Sequence, residues 1–174
     1  MMILVTGGAA SGKSEFAEEI TIEKGKRNLI YIATMIPSDE EETKEKINRH
    51  KAMRMSKGFL TVEAPFDLSS VEVSAESTVL LECMSNLLAN EMYCKGRNKE
   101  NAAEEILKGI MDLRRNCKNL IIVTNEVFSD GITYDQETKE YIDNLSLINR
   151  ELGIIADEVI EVVYSIPVYQ KKKE

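Results

Sequence analysis

An α/β fold with a mostly parallel central sheet flanked by helices is predicted by three features of the sequence. Apolar runs of strand length alternate with longer stretches whose apolar residues recur at helical spacing. The shorter runs are almost continuously apolar, as expected for strands that are covered on both faces. A glycine-rich loop ending in Gly-Lys-Ser joins the first run to the first helical stretch. The length of 174 residues suits one domain, which we place at residues 1–170, followed by a charged, frayed tail at 171–174.

Five apolar runs are predicted to form strands. In chain order they are Ile3–Thr6, Asn28–Thr34, Thr78–Glu82, Leu120–Thr124 and Val159–Tyr164. Phe59–Glu63 is a candidate for a further short strand.

The helices are predicted from apolar residues at helical spacing and from capping residues. The first runs from Lys13 to about Glu23, and Ser38-Asp-Glu-Glu41 is a capping box that opens a second toward Met53. A third opens at Asn101. The last long helix carries an apolar stripe formed by Tyr141, Leu145, Ile148, Leu152 and Ile155. We interpret this stripe as core, with a contact between subunits as the alternative.

The composition argues against several classes of protein. The net charge of −8 disfavours a general nucleic-acid-binding surface, so no nucleic-acid partner is expected. Cys83, Cys94 and Cys117 lie far apart without metal-binding spacing, which indicates free thiols in a reducing compartment. No apolar run approaches the roughly 20 residues that span a bilayer, and no signal-peptide pattern is present. We therefore expect a cytoplasmic protein without a membrane span.

The strongest functional signal is the loop after the first predicted strand. Residues Gly7, Gly8, Ala9, Ala10, Ser11, Gly12, Lys13 and Ser14 match the phosphate-binding pattern G-x-x-x-x-G-K-[ST] at every position. Small residues let backbone N–H groups close around phosphate oxygens, and the helix N-terminus adds positive potential. Lys13 is expected to reach the β- and γ-phosphates of ATP or GTP, and Ser14 to bind Mg²⁺. The motif and its flanks predict a P-loop NTPase-like fold, the alternative being a tight strand-to-helix turn that contains these residues by chance.

A P-loop site also needs a carboxylate near the metal, at the end of another strand. Glu82 follows three apolar residues at the predicted exit of such a strand. We interpret Glu82 as a magnesium or nucleotide contact. The alternative is a strand-end residue that only reaches water.

The single histidine of the chain, His50, lies in a basic segment. The cations of this segment are Lys44, Lys46, Arg49, Lys51, Arg54 and Lys57, against one acid, Glu45. Such a cluster indicates an anion site, and its like charges disfavour the protonated imidazole. A neutral imidazole can attack phosphorus while the cations stabilise the developing charge. The alternative is a solvated helix face with an incidental histidine.

The order of these motifs resembles that of the bifunctional adenosylcobinamide kinase / adenosylcobinamide-phosphate guanylyltransferase family. The segments that carry the resemblance are Ile3–Ser14, Tyr31–Thr34, Ile47–Lys51, Thr61–Glu63, Leu80–Cys83, Thr124–Val127, Asn149 and Ala156–Val159. They span nearly the whole chain, and their common order is the specific feature. The chain departs from the family pattern at Ala10, Met55 and Glu82, and in a longer loop at 128–134.

This resemblance implies two reactions in the assembly of cobalamin (vitamin B12). The enzyme would phosphorylate adenosylcobinamide with ATP or GTP, and then transfer GMP from GTP to that phosphate through a guanylylated histidine, which corresponds to His50. The nucleotide contacts that the family implies are the phosphate loop together with Thr34, Met35, Ile36, Lys51, Ala52, Met53, Arg54, Glu63 and Glu82. The family also implies a homotrimer.

Two other functions stay open from the residues alone. One is a P-loop kinase of another small alcohol, in which His50 is incidental, and the other is a nucleotide-dependent switch that binds a protein partner. The basic segment around His50 favours the bifunctional enzyme over a simple kinase. A kinase acceptor attacks the γ-phosphate directly and needs no nucleophilic side chain.

Overall fold

The computed structural model describes residues 1–36, 48, 51–127 and 134–172 of the chain. The strands are β1 (Met2–Thr6), β2 (Leu29–Ala33), β3 (Phe59–Glu63), β4 (Thr78–Leu81), β5 (Asn119–Val123), β6 (Glu158–Val163) and β7 (Ile166–Lys171). The helices whose two ends are both described are α1 (Lys13–Gly25), α2 (Met84–Tyr93), α3 (Ala102–Asn116) and α4 (Gln136–Ile155). Residues 51–56 are also helical, and short 3₁₀ turns lie at Leu68–Ser70 and Lys99–Asn101.

All of these strands form one sheet, in the order β3-β2-β4-β5-β1-β6-β7. Strands β1 to β6 pair in parallel, and β7 runs antiparallel to β6. This confirms the predicted α/β fold with its mostly parallel sheet, and it confirms Phe59–Glu63 as a strand, paired with β2. Because parallel strands end at the same edge of a sheet, the loops after β1, β2, β4 and β5 meet at one edge.

The sheet is covered on both faces, which explains why its strands are nearly continuous apolar runs. Helix α1 packs on one face, where Ala17 and Ile20 are buried. Helices α2, α3 and α4 cover the other face and enclose the larger core. In α4, Leu145, Ile148 and Leu152 are fully buried, so the apolar stripe of this helix is core, as interpreted from the sequence.

Helix α2 is an element that the sequence analysis does not predict. Met84, Leu87 and Leu88 are fully buried at helical spacing, and Met92 continues the same face one turn further on. The intervening Ser and Asn residues favour turns and caps over helix interiors, and they hide this pattern.

Strand β7 is the second unpredicted element. All six of its residues are exposed and it contains Pro167, so it lacks both the apolar run and the alternation of a buried strand. It extends through Lys171, which the sequence analysis assigns to a frayed tail. The Lys171 ammonium instead donates to the carbonyl oxygens of Gly153 and Ile154, at 3.3 and 2.8 Å.

Several predicted boundaries shift slightly. Thr34, Glu82 and Thr124 each lie one residue beyond their strands rather than inside them. The helix predicted to open at Ser38 begins outside the described residues, but residues 48 and 51–56 are helical, in agreement with its predicted course toward Met53. Within the described ranges, no helix combines the length and apolar character needed to cross a bilayer.

Candidate functional site

The phosphate loop runs from the end of β1 to the first residue of α1, and its path requires two of its glycines. A Cβ atom on Gly7 would lie 2.6 Å from the Val162 carbonyl oxygen. Gly12 has φ +90°, and its Cβ would lie 2.5 Å from the Ser165 hydroxyl oxygen. A side chain at either position would therefore displace the neighbouring β6–β7 segment, and at Gly12 it would also strain the backbone.

Lys13 and Ser11 are two side chains of this loop whose polar groups have different surroundings. The Lys13 ammonium donates to the Gly8 carbonyl oxygen at 3.1 Å, so it folds back over the loop at the N-terminus of α1. Burial lowers the pKa of Lys13 from its usual value. In the described part of the chain, the Ser11 hydroxyl oxygen is the buried side-chain oxygen that has no hydrogen-bond partner. Lys13 lines the cavity, so a phosphate there would supply the negative charge that favours its protonated form, whereas Ser11 is outside the lining.

A cavity of about 630 Å³ opens beside the loop at the carboxyl edge of the sheet. It lies toward β5, β4 and β2, on the side of β1 away from β6. Its lining consists of Lys13, Ser14, Glu15, Glu18, Tyr31, Met35, Met53, Arg54, Lys57, Glu82, Cys83, Asn86, Val123 and Asn125. The phosphate loop and the helical segment 51–56 thus face the same space.

Glu82 joins three parts of this cavity. Its carboxylate accepts hydrogen bonds from the Thr34 backbone N–H at 2.9 Å and from the Thr34 hydroxyl at 3.5 Å. It also pairs with the Arg54 guanidinium at 3.6 Å. Asn90 in turn donates to the carbonyl oxygens of Thr34 and Pro65, at 2.8 and 3.0 Å. The ends of β2, β3 and β4 are therefore tied together around one carboxylate.

Arg54 and Tyr31 form the floor of the cavity. The Arg54 guanidinium carbon lies 4.2 Å from the centre of the Tyr31 ring, and both residues are 8% exposed. Burial raises the pKa of Tyr31, and the charge and hydrogen bond of Glu82 raise it further. The phenol of Tyr31 therefore stays protonated and neutral, which leaves Arg54 as the cation of this cluster.

The described cations of the basic segment are all paired with carboxylates. Lys51 pairs with Glu63, and Lys57 pairs with Glu18 at 2.5 Å, as Arg54 does with Glu82. These pairs dock the segment on the sheet edge and offset part of the positive charge expected from the sequence. His50, the predicted nucleophile, and the cations Lys44, Lys46 and Arg49 lie outside the described residues.

The other predicted site residues fall into two groups. Met35 and Met53 line the cavity beside Lys13 and Ser14, whereas Ile36 and Ala52 are exposed outside its lining. Glu63 is also outside the lining and meets the site through its pair with Lys51.

Eight lining residues are absent from the predicted nucleotide contacts, and three of them have informative surroundings. These three are Tyr31, Cys83 and Asn125. Cys83 caps α2, since its sulfur accepts from the Asn86 backbone N–H at 3.4 Å, and burial raises the pKa of its thiol. Asn125 donates to the Ser85 hydroxyl at 2.8 Å. Cys83 and Asn125 follow closely after β4 and β5, so a rule that examines every residue just beyond a parallel strand would have found them.

Ser14 and Glu82 are the residues that could hold Mg²⁺ in this cavity. Magnesium bound with phosphates takes few protein ligands, because phosphate oxygens and water complete its octahedron. One hydroxyl and one carboxylate therefore fit that ion. Over the described ranges, no group of three or more His, Cys, Asp and Glu side chains could hold a metal by itself.

Comparison with known proteins matches the chain along almost its full length. Residues 3–169 match the family described as cobinamide kinase / cobinamide phosphate guanyltransferase. The chain is 31% identical to the bifunctional adenosylcobalamin biosynthesis protein CobU of Escherichia coli, over 97% of this chain and 98% of that protein. It is 29% identical to CobU of Salmonella typhimurium, with the same coverage, and 27% identical to CobP of Pseudomonas aeruginosa, over 96% of this chain and 95% of that protein.

Solved structures share the fold at low identity. The KaiC-like protein PH0186 of Pyrococcus horikoshii aligns with a TM-score of 0.58 and 13% identity, over 99% of this chain and 79% of that one. The flagellar accessory protein FlaH of Methanocaldococcus jannaschii aligns with a TM-score of 0.51 and 12% identity, over 99% of this chain and 78% of that one. These two neighbours support the P-loop NTPase-like architecture.

Proposed function

The chain belongs to the cobinamide kinase / cobinamide phosphate guanyltransferase family of cobalamin biosynthesis enzymes, and we propose that it carries out both reactions. It phosphorylates adenosylcobinamide with ATP or GTP, and it then transfers GMP from GTP to give adenosylcobinamide-GDP. The observation that carries the proposal is the shared cavity, which is lined both by Lys13 of the phosphate loop and by Arg54 of the basic segment.

In the kinase step, the acceptor hydroxyl oxygen attacks the γ-phosphorus. The bond from that phosphorus to the β,γ-bridging oxygen breaks, the nucleoside diphosphate leaves and the hydroxyl proton is released. Lys13 and the backbone N–H groups of residues 7–14 hold the phosphates and stabilise the charge that develops on them. Ser14 and Glu82 hold Mg²⁺, which supplies additional positive charge to the phosphate oxygens.

In the nucleotidyl step, a ring nitrogen of His50 attacks the α-phosphorus of GTP and pyrophosphate leaves. A phosphate oxygen of adenosylcobinamide phosphate then attacks the same phosphorus, and the N–P bond breaks. Lys51 and Arg54 stabilise the charge on the transferring group. The remaining nucleotide contacts of the proposal are Thr34, Met35, Ile36, Ala52, Met53 and Glu63.

The support for this second step is local. Lys51 directly follows His50 in the chain, and Arg54, one helical turn further on, is held at the cavity floor by Tyr31 and Glu82. We extend the proposal to a cytoplasmic homotrimer, following the family resemblance.

A phosphorylation assay tests the kinase half. Purified protein is incubated with adenosylcobinamide, Mg²⁺ and γ-labelled ATP or GTP, and the corrinoid product is separated and counted. We expect Lys13→Ala to reduce labelling by about 100-fold or more, because it removes a preorganised cation from the phosphate site. Lys24→Ala, at the other end of α1 and outside the cavity, is the matched control that retains labelling. Failure of the unmodified protein to label the corrinoid would contradict the proposal.

A further inference from the structure

The turn between β6 and β7 has an unusual backbone. Tyr164 and Ser165 are consecutive residues with left-handed φ values of 51° and 62°. Two-residue hairpin turns of this kind favour Asn and Gly, because larger side chains are strained at positive φ. A tyrosine at this position costs free energy that a glycine would not, and such strain often marks a functional position.

The same turn is docked on the phosphate loop. The Ser165 backbone N–H donates to the Ser11 carbonyl oxygen at 2.8 Å. The Ser165 hydroxyl occupies the space that a side chain on Gly12 would need. Strand β6 is the immediate neighbour of β1, so the turn lies about one strand spacing, ~4.8 Å, from the strand that leads into the loop.

Tyr164 is almost fully exposed to solvent in this turn. Its side chain is 91% exposed, and its neighbours Val163 and Ile166 are also partly exposed, at 39% and 64%. The fold thus presents an uncovered aromatic residue directly before Ser165, the residue that contacts the phosphate loop, on a backbone that disfavours a side chain.

The cavity on the other side of the loop offers no comparable ring among its described residues. Its aromatic residue, Tyr31, is 8% exposed and is covered by the Arg54 guanidinium. The remaining lining combines charged and amide groups with the apolar side chains of Met35, Met53 and Val123, and it contains no second ring within the described part of the chain. An aromatic surface for a base is therefore found on the hairpin side of the phosphate loop.

We propose that Tyr164 is a stacking platform for the purine base of the triphosphate that occupies the loop in the kinase step. This inference rests on the proposed function. It places the base of the nucleotide on the β6–β7 side of the phosphate loop in the kinase step. Stacking uses the π-face that every base has, so one platform accepts both ATP and GTP.

The proposal also separates two orientations of the nucleotide. Glu63 ends β3, which lies four strands from β1, or about 19 Å at the usual strand spacing. The hairpin of β6 and β7, by contrast, lies directly beside β1. In the kinase step, the base of the nucleotide therefore stacks on Tyr164 while the γ-phosphate is transferred. In the nucleotidyl step, GTP instead uses the contacts proposed at Lys51, Arg54 and Glu63, and its α-phosphate faces His50.

Binding measurements with a base-free ligand test the platform. The affinities of the β,γ-imido analogues of ATP and GTP, and of inorganic tripolyphosphate, are measured by calorimetry with Mg²⁺. Tyr164→Gly is expected to weaken both nucleotides about 5- to 100-fold while leaving tripolyphosphate unchanged. Tyr164→Phe should restore nucleotide binding, and Tyr169→Ala, on the exposed β7 strand, is the matched control.

Thermal unfolding separates this role from a structural one. Glycine relieves the strained φ at position 164, so Tyr164→Gly should raise the melting temperature while it weakens nucleotide binding. Unchanged nucleotide affinity in Tyr164→Gly would overturn the platform and leave the proposed function standing. If Lys13→Ala leaves tripolyphosphate and nucleotide binding as in the unmodified protein, the proposed function fails, and the platform fails with it.

Discussion

Gly12 shows how one residue can serve both fold and chemistry. Its left-handed backbone starts α1 at the phosphate loop, and its missing side chain leaves the space that Ser165 fills. Gly8, in the same loop, meets nothing within 4 Å of its Cβ position. A side chain would therefore be excluded at Gly12 but would have room at Gly8, although the sequence motif alone does not distinguish the two positions.

Substitution of these two glycines tests that difference. We expect Gly12→Ala to lower the free energy of unfolding by at least about 1–2 kcal/mol, the cost of a left-handed alanine, because displacement of Ser165 adds to it. Gly8→Ala should leave the free energy of unfolding nearly unchanged. Urea denaturation of both variants measures the difference, and equal stability would contradict the close contact between the loop and the hairpin.

At the residue scale, the sequence predicted the phosphate loop because its chemistry is local. Gly7 to Ser14 are contiguous, so the motif alone specifies them. Glu82 was predicted from its place at the end of an apolar run. Its contact with Thr34 could not be predicted, because the two residues lie 48 positions apart in the chain. Tyr31 was missed as a site residue because a buried tyrosine in an apolar strand looks like core until Arg54 is seen to cover it.

Helix packing on the larger core depends on a glycine in the middle of α3. A Cβ atom on Gly109 would lie 2.6 Å from the Leu68 Cβ and 3.2 Å from the Ser69 backbone nitrogen. Because Leu68 belongs to a 3₁₀ turn packed on this helix and is 3% exposed, it has little room to move. Gly109 therefore fixes how closely the turn approaches α3.

Alanine substitutions in two helices separate packing from helix propensity. Gly109→Ala should lower the free energy of unfolding by about 1–3 kcal/mol, since overpacking outweighs the propensity gain. Gly153→Ala in α4, whose Cβ meets nothing within 4 Å, should be neutral or stabilising by up to about 1 kcal/mol. Equilibrium denaturation in urea provides both values, and stabilisation by Gly109→Ala would refute the tight contact with Leu68.

At the element scale, prediction succeeded where burial produces a pattern. The strands covered on both faces and the stripe of α4 were readable for this reason. Strand β7 was not, because it is exposed along its length and is held by pairing with β6 rather than by side-chain burial. The apolar pattern of α2 is present in the sequence, but Asn86 and Asn90 stand between its apolar residues and obscure it. Asn90 has a role in the site, since it donates to the Thr34 carbonyl oxygen.

The whole molecule explains why distant motifs act together. The strand order places β4 and β5 between β1 and β2, so the loops after these four strands surround one cavity. The pairs from Arg54 to Glu82 and from Lys51 to Glu63 bring the basic segment to that edge. Strand order depends on contacts between residues far apart in the chain, so the sequence could indicate which residues matter but not which of them meet.

We propose that one cavity serves two chemistries, with His50 as the nucleophile of the second. Family membership supports an enzyme of cobalamin biosynthesis, and the geometry adds a phosphate loop and a basic segment facing the same space. A simple P-loop kinase would need only the loop. A covalent nucleotide on the chain is therefore the feature that distinguishes the proposed enzyme from such a kinase.

Incubation with α-labelled GTP detects such a covalent nucleotide. The protein is incubated with the nucleotide and Mg²⁺, denatured and examined for acid-labile label on the chain. We predict label on the unmodified protein and on Ser56→Ala, an exposed residue at the end of the helical segment 51–56, and none on His50→Ala. Absence of label from the unmodified protein, or label that survives in His50→Ala, would contradict the role of His50 as the nucleophile.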